Sequence, residues 1–204
     1  GGDIYVGASI PMRSDVAGRI AAVPGVDAVT AVRYLAVDWQ PPTGDAQTIN
    51  LMAYDPATYS RVTSFVFSGE QPNVEQVITR LQQGDAVLLS SVLAEKYGLK
   101  PGDSVTLRTR SGLHAFEIAA IVVDFYNQGL VVQGTWDDMR RYFRINDANT
   151  FFIKVANDQV IDEVQNRIDT LYGKRYQLIL ISNTSIREQA LTLMDQAFSM
   201  FDVM

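Results

Sequence analysis

DAVLLSSVLAEKYGLKPGDSVTLRTRSGLHAFEIAAIVVD, residues 85–124, is the stretch from which the fold is read. Residues 86–89 form a short apolar run suited to a buried strand. Ser90 or Ser91 can cap a following helix, because a serine oxygen satisfies free N–H groups in the first turn. Val92, Leu93 and Tyr97 recur at helical spacing, and Gly98 supplies the usual C-terminal stop. Lys100-Pro101-Gly102-Asp103 reads as a turn, since proline pre-sets φ and glycine accepts positive φ. Val105, Leu107 and Thr109 then alternate with polar residues. Ser111-Gly112 makes a two-residue reversal, and Phe116, Ile118 and residues 119–123 return as a second strand. The pattern predicts a β-hairpin with one buried face, stapled by a short helix.

Working outward, 204 residues suffice for one large domain or two small ones. The chain is 47% hydrophobic and 20% charged, which is a globular composition. Its 17 basic and 23 acidic residues give a net charge of −6, and no window gathers Lys and Arg into a stripe. A phosphate backbone would need such a stripe, so nucleic acid is not an expected partner. With no cysteine, disulfides, thiol nucleophiles and thiolate metal sites are excluded. That absence fits a bacterial extracytoplasmic segment. No run of about eighteen apolar residues is present, and residues 1–3 do not resemble a signal peptide.

The N-terminal part reads as strand, helix, strand. Ile4, Val6 and Ala8 alternate; Ser14 or Asp15 can cap a helix carrying Val16, Ile20 and Val23, closed by Pro24-Gly25; residues 26–37 return as a long strand or strand pair. Residues 41–45 are a reversal, residues 48–54 a strand, and Asp55-Pro56 a turn leading into Ala57-Thr58-Tyr59. A helix over 73–82 turns Val74, Val77, Ile78 and Leu81 to one side. Residues 130–133 read as a strand, and 135–143 as a short helix with Met139 and Phe143 inward. The last third repeats strand, helix, strand: residues 150–155, a helix capped by Asp158 with Ile161, Val164, Ile168 and Leu171, and residues 176–181. From Thr184, Ile186, Ala190, Leu193, Ala197, Phe198 and Phe201 predict an amphipathic helix with no stop signal before Met204, as expected of a piece cut from a longer protein. The expected fold class is α+β: a split βαβ sheet subdomain built from both chain ends, with a small β-rich subdomain inserted.

Chemistry is sparse. His114 is the sole histidine and lies beside the hairpin turn, where a solvated ring is expected rather than a catalytic one. Asp137 and Asp138 open a short helix, where carboxylates favour the positive dipole end. No phosphate-cradling glycine loop and no nucleophile elbow occurs. We therefore assign no catalytic residue, no cofactor-binding residue and no metal ligand. For partner binding, the candidates are Phe125, Tyr126 and Leu130, around a flexible Asn-Gln-Gly loop where aromatic side chains can anchor an interface.

Several stretches, in order, resemble the extracytoplasmic domains of MacB/FtsX/LolC-like ABC transporter permeases. They are Ile49-Asn50-Leu51-Met52-Ala53-Tyr54-Asp55-Pro56, Phe67-Ser68-Gly69-Glu70, Val87-Leu88-Leu89-Ser90 with Leu93-Ala94 and Tyr97 to Val105, Phe116 to Val122, and Thr150 to Val155. Ala53 stands where the family commonly has glycine, and the basic residue after Gly69 and the glycine of the returning strand are missing. The resemblance implies a porter-like subdomain over residues 1–64 and 131–204, and a sabre-like β-rich insertion over 65–130. It implies a non-catalytic fragment whose ATPase is a separate cytoplasmic domain or subunit. It further implies a membrane location facing the periplasm or cell exterior, a permease dimer, and an extracytoplasmic protein or lipoprotein partner. The function so implied is coupling of cytoplasmic ATP hydrolysis to transport or mechanical work. A soluble or receptor-attached ligand-binding module, with a cleft between its subdomains, is the alternative.

Overall fold

A computed structural model describes residues 3–182 together with Thr192, Leu193, Asp195, Gln196 and Phe198, which are helical. Most of the amphipathic segment expected from Thr184 lies outside the described residues. The chain divides into two compact units, one comprising residues 1–33, 57–64 and 147–204, the other residues 34–56 and 65–146.

The first unit is an antiparallel sheet with helices between its strands. Its strands are β1 (Ile4–Arg13), the first half of β2 (Val26–Gln40), β8 (Asp147–Val155) and β9 (Leu178–Ile181). They lie in the order β2-β8-β1-β9, and every adjacent pair is antiparallel. β1 and β2, joined by helix α1 (Val16–Ala21), are therefore parallel with β8 between them. β8 and β9, joined by α5 (Ile161–Ile168), enclose β1 in the same way. This is the expected split βαβ sheet, with strands from both ends of the chain as neighbours. Its core holds Ile4, Val6, Ile20, Val32, Phe151, Ile153, Val164 and Ile168, all buried. Gly25, closing α1, has φ 95°, and a Cβ there would lie 2.6 Å from Val164 Cγ2.

Asp55-Pro56 opens a helix rather than a turn alone: α2 spans Pro56–Val62, with proline at the first helical position, where its missing N–H costs nothing. At the helical turn Asp158–Val160, which leads into the helix between β8 and β9, the capping side chain is Asn157, which accepts from the Gln159 N–H, rather than Asp158.

The second unit is a closed ring of strands. It contains the second half of β2, β3 (Gln47–Tyr54), β4 (Ala86–Ser90), β5 (Ser104–Thr109), β6 (Gly112–Val122) and β7 (Val131–Thr135). The order β3-β7-β4-β6-β5-β2 closes because β3 also pairs with β2. Closure leaves no sheet edge within the ring. β3/β7 and β4/β6 are parallel; β4/β7, β5/β6 and β2/β5 are antiparallel. Leu51, Val87, Leu107 and Phe116 face a residual cavity of about 10 Å³, which Met139 and Phe143 help to close. Helix α3 (Val74–Gln82) packs Val77 and Leu81 against Phe67, Leu88 and Val122 outside it.

The 85–124 stretch folds as its local signals dictate. Ser90 Oγ accepts from the Leu93 N–H at 3.3 Å and caps α4 (Ser91–Tyr97). Gly98 ends that helix at φ 64°, and Asp103 Oδ2 accepts from the Lys100 N–H in the turn. The hairpin register pairs Thr109 with Gly112, so the reversal is Arg110-Ser111, one residue earlier than expected. The unit boundaries differ more. Residues 34–56 and 131–146 lie in the second unit, where the sequence places them in the first. The cause is pairing at a distance: β7 takes its place between β3 and β4, and Trp39 of β2 pairs with Leu107 of β5.

Candidate functional site

The three partner-binding candidates lie on one loop of the second unit, and they part company there. Phe125 is 59% exposed, Tyr126 is 5% exposed and Leu130 is half-buried. Tyr126 is a core residue, its ring stacked on Tyr34 at 4.2 Å. It supports the loop from beneath and leaves Phe125 as the presented aromatic side chain.

The loop carries three successive residues of positive φ: Asn127 at 49°, Gln128 at 59° and Gly129 at 84°. Such conformations cost on the order of 1–3 kcal/mol for a non-glycine residue and persist only where surroundings enforce them. The enforcing contacts are explicit. Tyr54 Oη donates to Gln133 Oε1 at 2.7 Å, and Gln133 Nε2 donates to Asp124 Oδ2 at 2.9 Å. Asp124 Oδ1 accepts from the Tyr126 N–H at 3.0 Å. Asn127 Nδ2 donates to Asn50 Oδ1 at 2.6 Å, and the Asn50 N–H donates to the Leu130 carbonyl at 2.9 Å. Ser90 Oγ donates to the Gly129 carbonyl. The loop expected to be flexible is thus fixed to β3, β4 and β7. None of Asn50, Asp124 or Gln133 stands out in sequence, because nothing local marks residues that meet only through strand pairing.

A second cluster surrounds His114. Its Nε2 lies 2.7 Å from Asp85 Oδ1, and the Tyr142 hydroxyl donates to the same oxygen. The imidazole stacks on Tyr142 at 4.2 Å and meets Phe116 edge-on. The ring expected to be solvated is therefore held on two sides and by one carboxylate. Asp85 has φ 59°, and its N–H donates to both oxygens of Asp138, at 3.2 and 3.0 Å. Of the paired acids, Asp137 is exposed and bridges Arg140 at 3.1 Å, whereas Asp138 is 6% exposed.

The hydrogen bond from Tyr142 is the main reason that the Asp85 carboxyl titrates below its ordinary 3.8, with His114 adding to it against a burial penalty. The same bond pushes the Tyr142 hydroxyl up to about 12. Burial pushes Asp138 up, opposed by the Asp85 N–H. Among the described residues no three His, Cys, Asp or Glu gather to hold a metal ion. No helix among them is long and apolar enough to cross a membrane.

Comparison with known proteins agrees with this architecture. Residues 2–171 match the family described as the MacB-like periplasmic core domain. The chain is 23% identical, over 195 residues, to an uncharacterized ABC transporter permease protein, Rv0987, of Mycobacterium tuberculosis. That alignment covers 91% of this chain but 21% of the relative, so the chain spans about a fifth of that protein's length. Among solved structures it resembles the extracellular domain of the noncanonic ABC-type transporter YknZ from Gram-positive bacteria. The TM-score is 0.63 at 13% identity, covering 87% of this chain and 98% of that one. It also resembles the periplasmic region of MacB from Actinobacillus actinomycetemcomitans, with TM-score 0.62 at 13% identity over 92% of this chain and 91% of that one. The family match over most of its length, with a fold shared by these domains, means that the chain belongs to the MacB-like periplasmic core domain family, as an extracytoplasmic domain of an ABC transporter permease-like protein.

Proposed function

We propose that this domain couples ATP hydrolysis, carried out by a cytoplasmic ATPase on a separate domain or subunit, to transport or mechanical work on the outer side of the membrane. The observation that carries this reading is the family match over residues 2–171. The sheet of the first unit supports it: strands from the two chain ends, β1 and β9, are direct neighbours. Movement delivered to β1 and β9 therefore enters one hydrogen-bonded sheet. In this reading the permease works as a dimer, and the domain meets a protein or lipoprotein partner outside the membrane. Phe125, with Tyr126 beneath it and Leu130 beside it, is the proposed point of contact. The first unit takes the porter-like part and the second the sabre-like part.

The absence of cysteine in these 204 residues makes the topology directly testable. Ser111 is exposed in the hairpin turn, so Ser111→Cys in a full-length gene lacking other accessible cysteines gives one label site. A membrane-impermeant maleimide should label it in intact cells, after permeabilising the outer membrane where there is one. Labelling that requires lysis of the inner membrane overturns the reading. For coupling, the full-length permease with its ATPase in proteoliposomes should lose partner-stimulated turnover with Phe125→Ser while keeping basal ATP hydrolysis. ATP hydrolysis at enzyme-like rates by the isolated 204-residue chain would equally sink it.

A further inference from the structure

Three elements of the second unit converge on a single carboxylate oxygen. Asp85 precedes β4, His114 lies on β6 one residue beyond the exposed Leu113, and Tyr142 sits in the π-helical turn Met139–Phe143. His114 Nε2 and the Tyr142 hydroxyl both reach Asp85 Oδ1, and their rings stack at an interplanar angle of 25°. The backbone continues the same tie: Asp85 O accepts from the Glu117 N–H at 2.9 Å, and the Tyr142 carbonyl accepts from the Arg110 N–H at 3.0 Å. Charged residues nearby include Arg141 in the Tyr142 turn, Arg110 at the hairpin tip, Asp138 beneath the Asp85 backbone, and Glu117, whose carboxylate pairs with Arg80 at 3.3 Å. Across the hairpin, the residue paired with His114 is the apolar Leu107.

We propose that the ionised Asp85 carboxylate is an acid-released clasp, which holds the tip of the β5–β6 hairpin against the Tyr142 turn and loosens both when it takes up a proton. The atoms that meet there determine which proton matters. His114 Nε2 carries a hydrogen both in the imidazolium and in the neutral Nε2–H tautomer, so its bond to Asp85 survives a change in the charge of the ring. Asp85 has no such tolerance. Protonated, it loses the charge assistance of both bonds at once. The sign follows from its lowered titration: the contribution is complete above the ordinary 3.8 and is lost as pH falls through the lower folded-state value. Asp138, shifted the other way, contributes with opposite sign.

One histidine in the chain makes the test direct, because its ring resonances need no sorting. Nuclear Overhauser contacts between the His114 and Tyr142 rings are followed from pH 7 to pH 2 in the 204-residue chain. The methyl groups of the fully buried Ile49 and Leu89 report on the barrel itself. The expected result is a constant contact from pH 8 to 5 and its loss below 3.8, with both methyl signals still native. Asp85→Asn should show a weak contact at every pH and no acid step. Tyr142→Phe, read through ring contacts to position 142, should move the step to higher pH, because Asp85 loses the larger of its two stabilising bonds. Loss of the contact between pH 8 and 5, an unchanged acid step in Asp85→Asn, or simultaneous loss of the Ile49 and Leu89 signals would each overturn the proposal.

Discussion

Gly129 lies so close to Val92 that a Cβ placed on it would come within 2.4 Å of Val92 Cγ2 and 2.6 Å of Val92 Cβ. Val92 belongs to the short helix after β4, and Gly129 is the last residue of the strained loop behind Phe125. The loop is thus seated on the helix by a backbone approach that only glycine permits.

Gly129→Ala should accordingly be among the most damaging single-methyl changes in the chain. It adds strain at φ 84° to a clash with a stiff β-branched side chain. The expected loss is about 3 kcal/mol from strain and overpacking together. Gly112→Ala is the internal control: φ is 103°, yet nothing lies within 4 Å of the added carbon, so only the conformational cost of about 1 kcal/mol should appear. Urea unfolding of the two variants separates the terms. Equal losses would mean that the Val92 contact relaxes freely.

Phe125 and Tyr126 are neighbours in sequence with opposite assignments. Phe125→Ser should change stability by less than about 0.5 kcal/mol, as for an ordinary surface position. Tyr126→Ala removes a ring stacked on Tyr34 and should cost about 3 kcal/mol. A large loss of stability in Phe125→Ser would show that its ring is structural and would remove it as a contact residue.

The Tyr142 hydroxyl gives an alkaline signature. A tyrosine raised from 10.0 to about 12 keeps its proton longer in the folded chain than in the unfolded one. Its stabilising contribution is complete below pH 10 and falls as pH rises from 10 towards 12. Denaturant midpoints at pH 9, 10.5 and 12 should fall less steeply in Tyr142→Phe than in the unaltered chain. Parallel slopes would mean that the hydroxyl does not bond to Asp85 in solution.

Arg33 and Asp147 form an ion pair of unequal burial in the first unit, 2.7 Å long, with side-chain exposures of 8% and 47%. Asp147→Ala takes the carboxylate from a buried guanidinium and should cost about 3 kcal/mol. Arg33→Met replaces that cation with an apolar chain and leaves a half-solvated carboxylate, so it should cost clearly less. Thermal unfolding of both variants reads the difference, and the reverse order would argue against burial as the governing term.

Much of the fold was legible because its signals are local. Ser90, Gly98 and Pro101-Gly102-Asp103 act within three or four residues of themselves, which is why residues 85–109 form the expected strand, helix and strand. Amphipathic spacing likewise placed Val77 and Leu81, and Val164 and Ile168, on buried faces. The candidate site was legible only in part. Phe125 and Tyr126 are alike in sequence, and their different exposure follows from Tyr34, some ninety positions away, offering a ring to one of them.

The sequence by itself determined the α+β class, the pairing of two βαβ halves, the hairpin and the lack of thiol chemistry, since these follow from periodicity, capping and residue type. Only the tertiary structure decided that residues 34–56 and 131–146 complete the barrel, and that one oxygen of Asp85 receives both His114 and Tyr142. The physical reason is the same in each case. Closing a ring of strands brings together groups tens of residues apart, and the hydrogen-bond partner of a strand or a carboxylate is chosen by that closure rather than by its own neighbours.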